Sequence, residues 1–326
     1  MTYQPAIKIT MDFTVAIPTY NGANRLPTLL DKLIAQITPS DLSWQVIVVD
    51  NNSTDTTAKI VTEYQSRCKE KFSLIYAFEE QQGAAFARQK AMQLAQSELV
   101  GFLDDDVTPA EDWVASAYDF GLEHTQAGAY GGRIIGKIEV PPPGNFKRIQ
   151  SFLALRDRGN SPHLYNPENL ALPPSAAWVI RTKAWVDNVP SQPNLGGRTG
   201  KSMVQGDDYE PLLYIYRAGW EIWYHPEMYV EHHIPAGRLE EQYLIALSRG
   251  CGLCIFQLRL ITAKNWEKPI TFSKVMLGGL KRACVHFWKY RREIKTDIVT
   301  RCEFVFFLSW FWSPFYYLNR RIRSTQ

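Results

Sequence analysis

Three consecutive aspartates, Asp104, Asp105 and Asp106, close an apolar run in the stretch Glu98–Pro109, ELVGFLDDDVTP. Adjacent carboxylates repel one another and resist burial, so an opposite charge must offset them. A hard divalent cation with oxygen ligands is the usual partner; a solvated turn is the competing reading. Leu99, Val100, Phe102 and Leu103 are apolar on both strand faces, as in a buried parallel strand. The aspartates then fall at its carboxyl end, where open α/β sheets place their ligand crevices. Two further strand ends are polar in the same way: Thr19-Tyr20-Asn21 after Phe13–Ile17, and Asp50-Asn51-Asn52 after Gln45–Val49. Parallel strands bring such ends to one edge, so the three segments converge on one site.

The elements that must position them alternate along the first two thirds of the chain, the pattern of a mostly parallel sheet. Pro18 is expected to stop the first strand. Helices are expected at Leu26–Ala35, from the Asn51–Asp55 cap region to about Cys68, at Gly83–Ala95, and after Pro109 and Asp112. Ser73–Phe78 reads as a third strand. Further strands are expected at Ala129–Ile135, Ala177–Ile180, Trp220–Tyr224 and Met228–His232. Asp208–Ala218 reads as a helix stopped by Gly219. The Pro-rich connection from Pro141 is long enough to act as a lid or wall.

The 326 residues, 45 % hydrophobic, suffice for one large α/β core with an appendage. Charge is unevenly placed. From Arg259 onward fourteen Lys/Arg outnumber four Asp/Glu, a local +10 in a chain of +3, so the preceding residues carry −7. The aromatic stretch Phe304–Leu318, followed by Arg320, Arg321 and Arg323, suits a membrane interface with anionic lipid, or equally a helix packed on the protein's own core. It is short for a span, and Pro314 is expected to interrupt it. The N-terminus lacks a signal-peptide pattern. Five scattered cysteines fit a reducing compartment, and Cys251/Cys254 have no second pair for zinc. The expected location is therefore cytoplasmic, peripheral at the inner face of the plasma membrane. No GxGxxG follows the first strand, Gly200-Lys201-Ser202 lacks the rest of a P-loop, and no nucleic-acid motif accompanies the basic tail.

AIPTYN (Ala16–Asn21), VVDNNSTD (Val48–Asp55), GAAFAR (Gly83–Arg88), FLDDD (Phe102–Asp106) and GDD (Gly206–Asp208) occur in the order found in family-2 glycosyltransferases. The chain resembles their GT-A domain over about residues 12–235, flanked by a tail at 1–11 and a helical, aromatic and basic extension at 236–326. QQGAAFARQ, NFKRI, AGWEIWY and that extension carry a narrower resemblance, to glycosyltransferases of cyanobacterial hormogonium polysaccharide synthesis (HpsE-like). The resemblance implies an α/β GT-A fold with a mostly parallel central sheet. It also implies a nucleoside-diphosphate sugar donor, UDP-linked, and a saccharide or lipid-linked saccharide acceptor. By it, Pro18, Thr19, Tyr20, Asn21 and Asp50 cradle the nucleoside, and Asp50 accepts from the base. Asp104 and Asp106 become the metal-side pair for Mg²⁺ or Mn²⁺, Asp106 the direct ligand, and Asp105 points elsewhere and tolerates change. His232 is a further candidate ligand. Arg88 is either a cation near the phosphates or part of a solvated helix face. Asp208 matches the family's base, and Asp207 beside it is either the alternative base or a cap for the helix. A sugar nucleotidyltransferase and a silent scaffold subunit are the rival readings.

Overall fold

The computed structural model describes residues 9–200 and 202–323; most of the N-terminal tail and Lys201 lie outside the described residues. Eleven strands run β1 Phe13–Thr19, β2 Trp44–Asp50, β3 Ser73–Phe78, β4 Leu99–Leu103, β5 Val107–Pro109, β6 Ala127–Gly131, β7 Ile134–Ile138, β8 His163–Leu164, β9 Ala177–Arg181, β10 Glu221–Tyr224 and β11 Val230–Ile234. The helices are α1 Leu26–Ile34, α2 Thr57–Arg67, α3 Ala84–Leu94, α4 Trp113–Glu123, α5 Thr182–Asn188, α6 Tyr209–Arg217, α7 Glu241–Leu253, α8 Ile255–Thr262, α9 Lys268–Tyr290 and α10 Ile298–Arg323. The main sheet has the order β3-β2-β1-β4-β9-β6-β10-β8. Its first four strands are parallel, β9 runs against both β4 and β6, and β8 runs against β10.

Period-two burial explains why these strands sit at the centre. Phe13, Val15 and Ile17 join Val46, Val48, Leu99 and Leu103 in one core, beneath α1 and α4. Ala16, Ile47, Val49, Val100 and Phe102 join the other, beneath α3 and α6. Both faces are dry, so parallel pairing is sustained. A small second sheet, β5-β11-β7, begins where β4 ends. The Asp104–Asp106 triplet is the joint between the two sheets. Asp104 N–H donates to the Ala176 carbonyl at 3.2 Å and Asp106 O accepts from His233 N–H at 3.0 Å.

Three expectations change. β1 runs through Pro18 to Thr19. Thr19 O accepts from Asn51 N–H, so Pro18 faces the opposite side. Pairing with β4 has already ended there, at Ala16↔Phe102, and the missing N–H removes no ladder bond. Ala129–Ile135 is not one strand. The chain leaves the main sheet after Gly131 and enters the small one at Ile134. Nor does Pro314 end its helix: α10, 26 residues in all, runs on to Arg323. Ser313 Oγ donates to the Trp310 carbonyl at 2.7 Å, the acceptor that a proline at 314 leaves unpaired.

The C-terminal helices pack on the body. A Cβ on Gly252 of α7 would lie 2.5 Å from the Phe306 carbonyl of α10, and one on Gly279 of α9 2.5 Å from Phe311 N. Only glycine permits these backbone approaches. Arg148, in the long connection, pairs with Glu303 of α10. The window long and apolar enough to span a bilayer is Glu241–Thr262, across α7 and α8, not Phe304–Leu318; 56 % of it is buried in the protein.

Asp105 holds the strand ends in place. Its Oδ1 accepts from Arg25 Nε at 2.8 Å, and its Oδ2 from Arg25 Nη2 at 2.9 Å and Thr19 Oγ1 at 2.5 Å. The carboxylate thus joins the ends of β1 and β4 to the residue before α1. Its partners differ from those of Asp106, and the expected tolerance to change does not follow from a buried, bidentate contact. Arg25 is partly exposed, which moderates the energy. Asp105→Ala is expected to lower the unfolding free energy by about 2 kcal/mol in urea denaturation. A loss below ~0.5 kcal/mol would show that the clamp contributes nothing.

Candidate active site

A cavity of about 650 Å³ opens over the carboxyl ends of β1, β2 and β4. Pro18, Thr19, Tyr20, Asn51 and the triplet Asp104–Asp106 line it from the strands, and Gly83 and Arg88 from the start of α3. The convergence expected from three polar strand ends is therefore present. Five carboxylates (Asp104, Asp105, Asp106, Asp207, Asp208) and four guanidiniums (Arg25, Arg88, Arg198, Arg238) share this wall. Such a mixture suits a polyanion carrying its own cation better than a neutral ligand.

Two of the expected nucleoside residues stand behind the wall. Asp50 is buried, with Oδ1 accepting from Ser53 N–H at 2.8 Å and Oδ2 from the Tyr76 hydroxyl at 2.9 Å. Asn21 sits at φ 48°, and its Oδ1 accepts from Thr54 N–H at 2.8 Å. Neither lines the cavity; both brace the turns that do. Asn51 takes the lining place after β2. Its Oδ1 accepts from Gly83 N–H at 2.7 Å and its Nδ2 donates to the Gln81 carbonyl at 2.7 Å, tying the start of α3 to the sheet edge. Tyr20 is half exposed at the rim.

Arg88 is not on a solvated face. It is 4 % exposed, with Nη1 2.8 Å from Asp207 Oδ2 and Nη2 donating to Ser175 Oγ at 2.7 Å. This pairing also corrects the capping assignment. Asp207 is held by Arg88, and Asp208 caps α6, its Oδ1 accepting from Tyr209 N–H at 2.9 Å. Asp208 has no cation in ion-pair contact among the described residues. Burial, then the neighbouring Asp207 charge, pushes its carboxyl up to about 7.

At the triplet, burial and the Asp106 charge raise Asp104. Asp106 stays ionised despite its burial, because His232 and Arg238 stabilise the charge and hold it below the usual carboxylate range. Arg238 Nη2 lies 2.7 Å from Asp106 Oδ2, and Arg238 Nη1 is 3.1 Å from His232 Nε2. His232 Nδ1 is buried without a partner, and Asp106 Oδ1, 3.3 Å from Nε2, is likewise unsatisfied. Among the described residues no three His, Cys, Asp or Glu groups gather closely enough to cage a metal ion. A dication that leans on one or two carboxylates and completes its shell with phosphate and water fits this arrangement, and the orphaned Asp106 oxygen fits it too.

Arg25, Arg198, Arg238 and Tyr243 escaped the sequence reading. The last two belong to the segment read as an extension, yet they line the cavity. The spacing of Arg238 six residues after His232 carried no periodic signal. What pointed to it was only the need for a counter-charge.

Comparison with known proteins agrees with this geometry. A family model, Glycosyl transferase family 2, matches residues 14–184. The teichuronic acid biosynthesis glycosyltransferase TuaG of Bacillus subtilis is 33 % identical over 144 residues, covering 44 % of this chain and 55 % of the relative. The poly(ribitol-phosphate) β-N-acetylglucosaminyltransferase TarS of Staphylococcus aureus is 33 % identical over 114 residues, covering 35 % of this chain and 19 % of the relative. The chain thus spans about half or less of the length of these curated relatives. Among solved structures, the Pyrobaculum calidifontis mannosyltransferase PcManGT with GDP-Man and Mn²⁺ superimposes with a TM-score of 0.59 at 18 % identity, covering 94 % of this chain and 89 % of that one. S. aureus TarS 1–349 with UDP-GlcNAc gives 0.52 at 18 % identity, covering 92 % and 90 %. These likenesses establish the GT-A fold, and with a family match over more than half its length the chain belongs to the family-2 glycosyltransferases.

Proposed function

We propose that the chain transfers a sugar, with inversion, from a UDP-linked donor to a saccharide or lipid-linked saccharide in cell-surface polysaccharide synthesis. The observation that carries this reading is Asp208: a carboxylate with no ion-pair partner among the described residues, at the cavity wall, with its pKa raised to about 7. A general base works best when its pKa lies near the working pH. The acceptor hydroxyl attacks the anomeric carbon, its proton passing to Asp208. The new C–O bond forms as the bond to the diphosphate oxygen breaks, and the electron pair leaves with UDP. Arg88 keeps Asp207 occupied, so one carboxylate is left for the proton. Asp106, with Asp104 beside it and His232 behind, would hold Mg²⁺ or Mn²⁺, which supplies charge neutralisation of the leaving diphosphate. The names of TuaG and TarS support a surface-glycan role, and the HpsE-like resemblance of the sequence supports hormogonium polysaccharide synthesis as its setting.

The location proposed is the inner face of the plasma membrane. Trp288 of α9 and Trp312, Phe315 and Leu318 of α10 are exposed, next to Lys289, Arg291, Arg292 and Arg320. Rings at headgroup depth with cations beside them suit an anionic bilayer.

Sugar release from UDP-sugars in Mn²⁺ tests the enzyme reading. Asp208→Asn should abolish transfer and leave UDP binding intact; loss of both would make Asp208 a structural residue. Because the base acts ionised and its pKa is raised, wild-type rate should climb with pH up to about 7, falling about tenfold per unit below it. Chelation with EDTA, or Asp106→Ala, should remove the UDP-induced melting shift; full binding without metal would refute the ion's role. Wild type should sediment with anionic vesicles and the Trp288→Ser/Trp312→Ser/Phe315→Ser variant should not. Wild type left in the supernatant would overturn the membrane placement.

A further inference from the structure

A second cavity of about 310 Å³ lies on the far side of Asp208. It shares Phe152, Pro174, Gln205 and Asp208 with the larger one, so groups entering from the two cavities meet at that carboxylate. Much of its wall comes from α7, α8 and α10, through Cys251, Cys254, Ile255 and Trp310. Burial pushes the Cys251 thiol up to about 12 and that of Cys254 well above its ordinary value, so both are neutral lining. The wall is largely apolar, with one feature out of keeping.

Arg156 and Arg158 line this cavity, and neither takes part in an ion pair among the described residues. Arg158 is accounted for by its surroundings. Its Nε donates to His163 Nε2 at 3.1 Å, and its guanidinium sits 4.8 Å over the Tyr165 ring. Arg156 is not. Its Nη2 donates to the Tyr209 hydroxyl at 3.1 Å, which fixes the group, but its Nε is buried without a partner. Trp310 Nε1, across the cavity, is also buried and unpartnered. Arg156 is half-buried, and a guanidinium partly withdrawn from water with no counter-ion among the described residues offers a seat for a ligand anion. At the donor cavity, by contrast, Arg25, Arg88 and Arg238 each pair with a carboxylate.

We propose that this side chamber receives the acceptor, and that the acceptor carries an oxyanion, phosphate or carboxylate, seated on Arg156. Its sugar ring lies against Phe152 and Trp310, the apolar C–H face on the aromatic wall, and its hydroxyl reaches Asp208. This inference rests on the glycosyl-transfer reading. A carboxylate belongs to the sugar itself, whereas a phosphate joins it to a lipid or a neighbouring unit.

Calorimetric titration with 4-nitrophenyl β-glucoside, 4-nitrophenyl β-glucuronide, 4-nitrophenyl phosphate and inorganic phosphate, each in the presence of UDP and Mn²⁺, separates these sources. At least one aryl anion should bind roughly tenfold tighter than the neutral glucoside, the size of one charged hydrogen bond. The glucuronide assigns the charge to the sugar and the aryl phosphate to a phosphate linkage; inorganic phosphate should bind more weakly than either, lacking the ring. Arg156→Gln should erase the preference, Arg156→Lys should restore part of it, and UDP binding should be unchanged in both. Equal affinity of wild type for glucoside and both aryl anions, a readout that needs no variant to fold, would overturn the proposal, as would a preference that survives Arg156→Gln. If UDP itself fails to bind while the anion preference persists, the transfer reading falls and the anion site stands.

Discussion

Everything at this site follows from the burial of carboxylates where one sheet hands the chain to another. Asp104–Asp106 join β4 of the main sheet to β5 of the small one, and the backbone there is pinned on both sides by Ala176 and His233. Ionised groups leave water only when paired or hydrogen-bonded. The structure meets that requirement by bringing guanidiniums from distant parts of the chain. Arg25 reaches Asp105 from the start of α1, and Arg238 reaches Asp106 from beyond the last strand. The cavity is the space left between these clamps, with one Asp106 oxygen and Asp104 still uncommitted.

The same logic separates the two members of the Asp207-Asp208 pair. Arg88 crosses from α3 to take Asp207, and Ser175 holds its other arm. The adjacent negative charge then works with burial to raise Asp208. A proton acceptor near neutral pH is thus produced by the burial of Asp208 and by the Asp207 charge beside it, while Arg88 keeps Asp207 occupied. The C-terminal helices take part as well. Gly252 and Gly279 let α7, α9 and α10 close together, and α7, α8 and α10 supply one wall of the side chamber, with Tyr243 of α7 in the main cavity.

Much of this was legible in the residue order. β3 falls at Ser73–Phe78 as read, and β1, β2, β4 and α1 within about two residues at each end, because their apolar periodicity is strong. The gathering of Thr19, Asn51 and the triplet at one edge follows from parallel pairing alone. The misreadings share a cause. Pro18 and Pro314 were given their average effect, and each is relieved by something non-local or side-chain specific: an unpaired strand flank in one case and the Ser313 hydroxyl in the other. The break of the β6–β7 run could not be read from its apolar sequence, because it depends on which sheet each half joins.

Residue order alone determined the parallel α/β framework, the polar strand ends and the clustering of acid. These depend on local periodicity and on where a strand stops. Tertiary structure decided which charge meets which. Asp50 and Asn21 turned out to brace the wall rather than line it, Asp207 and not Asp208 found an arginine, and Arg156 was left without an acid. At the site such pairings join residues separated by as many as 132 positions, as between Asp106 and Arg238. No periodicity records them; they exist only once burial has made each unpaired charge too costly to leave alone.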